Sequence, residues 1–208
     1  MKIGIVGSGH IGGTLTRRLR ALGHDVTVTN SRGPQSLTEL AAETGATAGT
    51  LEDTVQGAEL VVVAIPVKAV PDLPAALFDG KLAVDADNYY PQRDGDIAEL
   101  LDRSLSSSRW TAEHLKGARV VKAFNNIHAA QLMDSGKPAG APDRIALPVA
   151  GDDADAKRVV MELVDELGFD PVDAGTLDES WRQQPDTPVY GTDRDAEGVR
   201  KGLAEARP

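Results

Sequence analysis

A glycine-rich motif directly after a short apolar run at the N-terminus constrains this chain more than any other feature. Residues 3–6 predict a β-strand, and Gly7-Ser-Gly-His-Ile-Gly12 follows at once. The residues after the motif predict an amphipathic helix. Its apolar face is formed by Ile11, Leu15, Leu19 and Leu22. A strand, a tight turn and a helix in this order are typical of the start of a dinucleotide-binding unit.

Each glycine of the motif has a separate expected task. Gly7 permits the sharp bend, Gly9 leaves room for a phosphate, and Gly12 lets the helix pack close to the strand. The helix N-terminus offers free N–H groups and a partial positive charge to a pyrophosphate, with His10 as a further donor. The alternative is a purely structural turn. The residues expected to bind a cofactor here are Gly7, Ser8, Gly9, His10, Ile11 and Gly12.

The end of the second predicted strand, residues 26–29, indicates which cofactor is preferred. NAD sites usually carry an acidic residue there, whereas an arginine suits the 2′-phosphate of NADP. This chain has Asn30, Ser31 and Arg32 instead of an acid. A guanidinium can bind a phosphate through two hydrogen bonds, and Pro34 can open a helix whose N-terminus adds positive potential. We therefore expect NADP, with a solvated surface arginine as the alternative.

The remaining strand ends predict the rest of the cofactor site. Residues 59–65 consist of Glu59 and a continuous apolar run that ends at Pro66, which is typical of a central parallel strand. Strands are also expected over 81–87 and from residue 119. Because ligands bind at the carboxyl edge of such sheets, these strand ends should line the nicotinamide end. The residues concerned are Ala64, Ile65, Pro66, Lys68, Asn88 and Ala123.

Few residues suggest proton chemistry. His128 and Asn125 are the candidate catalytic residues by position, although a structural histidine is an equally good interpretation of His128. Asp85 and Asp87 could raise each other's pKa as paired carboxylates, but strand-end caps are the simpler interpretation. This small number of acid–base candidates is consistent with hydride transfer, because that reaction depends mainly on positioning two reactants.

The whole pattern predicts an α/β protein with a Rossmann-type, doubly wound, mostly parallel sheet and a short C-terminal helical segment. We expect an NADP-binding domain over residues 1–175 and a helical extension over 176–208. Further helices are expected over 34–43, over 69–78, up to Leu167 with Asp153 as its cap, and near the C-terminus with Thr192 as its cap. We expect the solvated face of the first helix to carry Arg17, Arg18 and Arg20.

Composition and charge argue against several classes of function. The net charge of −10 disfavours nucleic acid, since the chain has no basic stripe. The sequence has no cysteine and its four histidines are not paired at helical spacing, so we expect no metal site. The first residues form a strand and no long apolar stretch follows, so we expect no membrane segment and a cytoplasmic location.

Six motifs together resemble the NADP oxidoreductases related to coenzyme F420-dependent NADP reductase. They are Gly7-Ser-Gly-His-Ile-Gly12, Asn30-Ser-Arg32, Val62-Val-Ala-Ile-Pro66, Val121-Lys-Ala-Phe124, Pro148-Val-Ala-Gly-Asp-Asp153 and Asp173-Ala-Gly175. The resemblance implies NADP(H), bound at the glycine turn and at Ser31 and Arg32, a hydride passed to or from a second cofactor, and a homodimer. The second substrate would be coenzyme F420, a flavin, or a small carbonyl or imine. A non-catalytic NADP(H)-binding sensor or accessory protein is the alternative. Residues 181–191 differ from the C-terminal segment of the F420 enzymes.

Overall fold

A computed structural model describes residues 1–207 of the chain, and eight strands within them form one sheet. The strands are β1 Lys2–Val6, β2 Asp25–Thr29, β3 Thr47–Ala48, β4 Leu60–Val63, β5 Leu82–Asp85, β6 Arg119–Lys122, β7 Ala146–Gly151 and β8 Asp170–Asp173. The α-helices are α1 His10–Ala21, α2 Thr38–Thr44, α3 Leu51–Gln56, α4 Pro91–Asp94, α5 Ala98–Leu101, α6 Ser107–His114, α7 Ala129–Asp134, α8 Ala154–Glu166 and α9 Ala196–Glu205.

The strand order across the sheet is β3-β2-β1-β4-β5-β6-β7-β8. The pairs from β3 to β6 are parallel, β7 runs antiparallel to β6, and β8 is parallel to β7. This arrangement confirms the Rossmann-type, mostly parallel sheet. The order reverses between β1 and β4, where doubly wound folds open a crevice for a ligand at the carboxyl edge.

Helices cover both faces of the sheet. The buried strand β4 shows this directly, because Val62 faces the core that contains Leu15 of α1, while Val61 and Val63 face the core that contains Val55 of α3. A third cluster joins the C-terminal helix α9 to β7 and β8. The division at residues 175 and 176 stays a prediction, and residue 208 lies outside the described part.

Several predicted elements differ from the observed ones. The expected helix over 69–78 is two 3₁₀ turns, Val67–Asp72 and Ala75–Phe78, because Pro71 and Pro74 cannot donate the hydrogen bonds of a helix. The predicted helix over 34–43 begins as a 3₁₀ turn, Pro34–Leu37, and becomes α2 only at Thr38.

Among the predicted helix caps and helix faces, some are confirmed and others are wrong. Asp153 caps α8 as predicted, with its Oδ1 accepting from Ala156 N at 2.8 Å. The cap of α9 is Asp195, whose side chain accepts from Gly198 N, so the prediction of Thr192 was wrong. Leu22 lies beyond the end of α1 and is exposed.

The three arginines of α1 do not share a purely solvated role. Arg18 donates to the carbonyl oxygens of Met133 and Leu167, which ties α1 to α7 and α8, so that interpretation was wrong for Arg18. Residues 1–207 contain no helix of the length and apolarity that crossing a bilayer demands.

Candidate functional site

Gly7 and Gly12 are required by packing inside the turn between β1 and α1. Gly7 has a φ of 110°, and a Cβ built on it would lie 2.1 Å from the carbonyl oxygen of Ala64. A Cβ built on Gly12 would lie 1.9 Å from the Gly7 carbonyl oxygen. A side chain at either position would force the backbone apart. The fold alone therefore explains these two glycines.

Gly9 has no such structural reason. No protein atom lies within 4 Å of the Cβ position built on Gly9, and the residue is exposed. Gly9 immediately precedes the 12-residue helix α1, whose first turn contains no acidic residue. The first N–H groups of the helix therefore face an open, electropositive space, which suits an anionic group such as a pyrophosphate.

The loop after β2 lies beside this helix N-terminus. Asn30 Nδ2 donates to Ser8 Oγ at 2.9 Å, and Asn30 Oδ1 accepts from Arg32 N at 2.9 Å and from Ser36 Oγ at 3.0 Å. The Asn30 carboxamide thus fixes the glycine turn and its own loop together. Ser31 and Arg32 are exposed on that loop.

Ser8, Arg32 and Ser36 border one cleft of about 460 Å³, here called the Arg32 cleft. Arg17 forms two hydrogen bonds with Glu43, at 2.6 and 2.7 Å, so its charge is paired. Arg32 makes no side-chain hydrogen bond or ion pair with the described residues and is available to an anion. The cleft is lined by Ser8, Gly9, His10, Gly13, Thr14, Arg17, Arg32, Ser36, Leu37, Glu39, Leu40 and Glu43.

The loop after β4 contacts both the glycine turn and the strand beside it. Ala64 abuts Gly7, and Ile65 N donates to Asp87 Oδ1 at 2.7 Å. Pro66 is exposed at the tip of this loop. Lys68 extends away from the turn and donates to the carbonyl oxygen of Arg93 at 2.8 Å, so its ammonium group is already partnered.

The exits of β5 and β6 are joined by an amide network. Asn125 Nδ2 donates to Asn88 Oδ1 at 3.0 Å, and Asn88 Nδ2 donates to the Asn125 carbonyl oxygen at 2.7 Å. The Asn125 amide also bonds to Gln183 on both its nitrogen and its oxygen. These bonds give Asn125 a structural role, and a catalytic role for it stays a prediction. Ala123 is fully buried next to this network.

His128 lies at the N-terminus of α7 and is exposed. Its Nε2 would be 3.3 Å from a Cβ on Gly191, so the C-terminal segment passes beside the ring. No carboxylate within residues 1–207 forms an ion pair with it, unlike His24, which pairs with Glu166. Acid–base catalysis by His128 therefore stays a prediction.

Asp85 and Asp87, which the sequence singled out as paired carboxylates, lie in a buried polar cluster under this edge, the Asp87 cluster, together with the fully buried Lys122, which sequence analysis missed. Lys122 Nζ donates to the Asp87 carbonyl oxygen at 2.6 Å and lies 3.5 Å from Asp85 Oδ2. Burial raises the pKa of Asp87 well above its usual range, and the charge of Asp85 adds to this shift. A lysine inside an apolar strand was the available sequence signal. The cluster comprises Asp85, Asp87, Ser107, Ser108 and Lys122.

Two tyrosines near the same edge were also missed. The hydroxyl groups of Tyr90 and Tyr190 are hydrogen-bonded to each other, and the guanidinium of Arg93 lies 4.9 Å from the centre of the Tyr90 ring. Burial and the bond to Tyr90 raise the pKa of Tyr190. The pair joins the residues after β5 to residues 176–207, here called the C-terminal segment.

That C-terminal segment forms one wall of a second cavity, the Trp181 cavity, of about 540 Å³. Its volume falls in the range of small-molecule sites. Described residues hold no group of three His, Asp or Glu side chains suited to a metal ion. The cavity is lined by Tyr89, Pro91, Leu100, Leu101, Arg103, Ser104, Leu105, Ser106, Ser107, Asp178, Trp181, Gln184, Pro185, Asp186, Thr187 and Arg207.

Comparison with known proteins agrees with this geometry. A hypothetical protein, SMa0349, from Sinorhizobium meliloti has 35% sequence identity and a TM-score of 0.80, over 92% of this chain and 93% of its own. A candidate F420-dependent NADP reductase from Arthrobacter sp. FB24 has 29% identity and a TM-score of 0.72, over 88% of this chain and 87% of its own.

Metalloreductase STEAP3 from Rattus norvegicus is 32% identical over 179 residues, which are 85% of this chain and 34% of STEAP3. The chain thus spans about a third to a half of the length of the curated relatives that it matches. Residues 2–89, which contain the glycine turn, the Arg32 loop and the loop after β4, match the model of one family. Over these residues the chain matches the family described as NADP oxidoreductase, coenzyme F420-dependent.

Proposed function

We propose that this protein is an NADPH-dependent oxidoreductase that transfers a hydride between NADP(H) and a second cofactor or small acceptor. The observation that carries the proposal is the free guanidinium of Arg32, which borders the same cleft as the open N-terminus of α1. In the reaction, the C–H bond at the nicotinamide C4 breaks with its electron pair, and a new bond to hydrogen forms on the acceptor. Solvent supplies any further proton.

The residues of the Arg32 cleft fit NADP(H). The first N–H groups of α1 would bind the pyrophosphate, and the missing Cβ of Gly9 leaves space for it. Arg32 would pair with the 2′-phosphate, and Asn30 and Ser31 offer neutral groups beside it. Residues 64–66 would then contact the nicotinamide end, because they lie at the next strand exit of the same edge.

Coenzyme F420 or a flavin is the acceptor that we propose, in keeping with the family. The Trp181 cavity supports a flat acceptor, since the Tyr89 and Trp181 rings line it. Its charged lining residues carry both signs, Arg103 and Arg207 with Asp178 and Asp186. A small carbonyl or imine compound of the same reaction class is the alternative acceptor.

Arg32→Ala tests the cofactor. We expect NADPH to bind about 1.5–3 kcal/mol more weakly, the scale of a hydrogen bond to a charged group, and NADH to bind nearly unchanged. Fluorescence titration of both cofactors measures this. Arg158→Ala on the exposed face of α8 is the matched control. It also removes an arginine, but Arg158 does not line the Arg32 cleft and pairs with Asp155 and Glu162 of its own helix. An equal loss for NADPH and NADH would contradict the proposal.

A non-catalytic NADP(H) sensor or accessory protein is the second candidate. It is favoured by the full hydrogen bonding of Asn125 and by the absence of an ion-paired histidine at this edge among residues 1–207. NADPH oxidation with coenzyme F420, flavin mononucleotide and a set of carbonyl and imine compounds separates the two. Tight NADPH binding without turnover on any acceptor would favour the sensor.

We further propose a homodimer and a cytoplasmic location. The dimer rests on the family resemblance, and the location rests on the absence of cysteine from the sequence, which fits a reducing compartment. Sedimentation equilibrium tests the dimer: a single species of the monomer mass, 21.9 kDa, would contradict it.

A further inference from the structure

The Asp87 cluster connects the two halves of the proposed site by a continuous series of hydrogen bonds. At one end, Asp87 Oδ1 accepts from Ile65 N at 2.7 Å, on the loop that abuts Gly7. Lys122 Nζ donates to the backbone carbonyl oxygen of Asp87 at 2.6 Å and, at the other end, to Ser107 Oγ at 3.2 Å. Ser107 N then donates to Gln184 Oε1 at 2.8 Å, and both Ser107 and Gln184 line the Trp181 cavity.

We propose that Asp87 is a positioning residue for the nicotinamide end of the cofactor site, and that Lys122 extends its hold to the Ser107 and Gln184 wall of the Trp181 cavity. The inference rests on the proposed function, because it assigns these two places to cofactor and acceptor. Hydride transfer needs both reactants held at close range, so a rigid link between their walls serves the reaction directly.

The position of Asp87 explains why a carboxyl group is buried there despite the free-energy cost of burying it. Asp87 is 4% exposed and its Oδ2 has no partner among the described residues, whereas an unpaired buried polar atom costs free energy. A strand-end cap would need only the Asp85 contact, in which Asp87 N donates to Asp85 Oδ1 at 3.0 Å. The Asp87 side chain instead reaches a different strand exit and holds the Ile65 amide.

The charge of the cluster balances if Asp87 is neutral. Lys122 and Asp85 then form one buried pair, with Ser108 Oγ donating to Asp85 Oδ2. Burial raises the pKa of Asp87, which agrees with a neutral carboxyl group there. An asparagine is then nearly isosteric with Asp87 and keeps the oxygen that accepts from Ile65 N.

Amide hydrogen exchange tests the first half of the proposal without any ligand. In Asp87→Ala, the Ile65 amide loses its acceptor and should exchange at least about ten-fold faster, whereas Asp87→Asn should stay within about two-fold of the wild type. The Asp87→Ala change should also raise the NADPH dissociation constant by about ten-fold and leave the ratio of NADPH to NADH affinity unchanged. Equal exchange rates in all three proteins, or equal acceleration in both variants, would overturn the proposal.

Wild-type protein tests the second half, so the result does not depend on a variant that folds poorly. Saturating NADPH should slow exchange of the Ser107 amide by at least about three-fold and, because such coupling is reciprocal, Ser107→Ala should raise the NADPH dissociation constant by a similar factor. An unchanged Ser107 amide would overturn the link. If NADPH does not bind at all, the proposed function fails, while the Ile65 exchange result still decides the role of Asp87.

Discussion

Asn30 donates from its side-chain nitrogen to the hydroxyl of Ser8, at 2.9 Å, and so joins the turn after β1 to the loop after β2. The same carboxamide holds the backbone of Arg32 through Oδ1. One neutral side chain therefore fixes both the glycine turn and the Arg32 loop, where we propose that the pyrophosphate and the 2′-phosphate bind. A carboxylate at this position would be the acidic residue that NAD sites carry.

Asn30→Asp should therefore move the preference from NADPH towards NADH. The carboxylate repels a 2′-phosphate and can accept from the ribose hydroxyls of NADH, so the ratio of NADPH to NADH affinity should fall by at least about ten-fold. Competitive titration of the two cofactors measures the ratio. Asn30→Gln keeps the amide chemistry and is the control, and an equal fall in both variants would mean that geometry and not charge decides the preference.

Gly9 and Gly12 should respond to alanine in opposite ways. Gly12→Ala places a Cβ 1.9 Å from the Gly7 carbonyl oxygen, so it should lower the free energy of unfolding by at least about 2 kcal/mol. Gly9→Ala meets no protein atom within 4 Å, so its thermal midpoint should stay close to the wild type while NADPH binding weakens. Calorimetry and cofactor titration of both variants check this pair. Normal NADPH binding by Gly9→Ala would show that no phosphate approaches Gly9.

Asp87 should make the stability of the protein fall with rising pH. Burial and the charge of Asp85 raise its pKa in the folded state, against the opposing charges of Lys122 and Arg93. The folded protein then keeps a proton that the unfolded chain releases near pH 4, so the free energy of unfolding decreases from that pH up to the folded-state pKa.

Asp87→Asn cannot ionise and should escape this loss. Its free energy of unfolding relative to the wild type should rise with pH from about pH 4 upward, by at most about 1.4 kcal/mol per pH unit, until the folded-state pKa of Asp87 is passed. Urea denaturation at several pH values measures the difference. Asp94→Asn is the control: burial raises the pKa of that carboxyl group but the bonds from Arg93 lower it by more, so the stability that Asp94 contributes is lost only below about pH 4 and stays constant at higher pH. A constant difference between Asp87→Asn and the wild type would contradict the prediction.

The sheet could be predicted because its signals are local. The apolar run of β4 and the glycine turn each determine an element within a few residues, and the order of strands follows from their alternation with helices. The mostly parallel sheet is therefore confirmed, together with the caps that depend on neighbouring residues, such as Asp153 on α8. The run of prolines at 71 and 74 was present in the sequence, and it ends the helix that apolar content alone suggested.

The Asp87 cluster and the Trp181 cavity could not be predicted because their parts are distant in the chain. Lys122 meets Ser107 only after β6 pairs with β5, and Gln184 reaches Ser107 from a segment 77 residues away. The serine run at 104–108 carried no periodicity from which its role could be inferred. Two of its members nevertheless satisfy buried charges, Ser107 at Lys122 and Ser108 at Asp85.

Trp181 is the residue through which the acceptor should be recognised separately from the cofactor. It lines the Trp181 cavity with Tyr89, on the opposite side of the Asp87 cluster from the Ile65 amide. Trp181→Ala should raise the acceptor KM by about ten-fold or more, since stacking and burial of an indole contribute about 1–3 kcal/mol, while NADPH affinity stays within about two-fold.

Three variants make this test specific to the ring at residue 181. Trp181→Phe keeps an aromatic face and should recover most of the acceptor affinity, and Trp110→Ala removes the other tryptophan of the chain, on α6, which does not line the cavity. Steady-state kinetics with the acceptor that supports turnover supply the KM values. If Trp181→Ala weakens NADPH and acceptor equally, the cavity belongs to the cofactor site, and the acceptor must approach the nicotinamide from the side of His128.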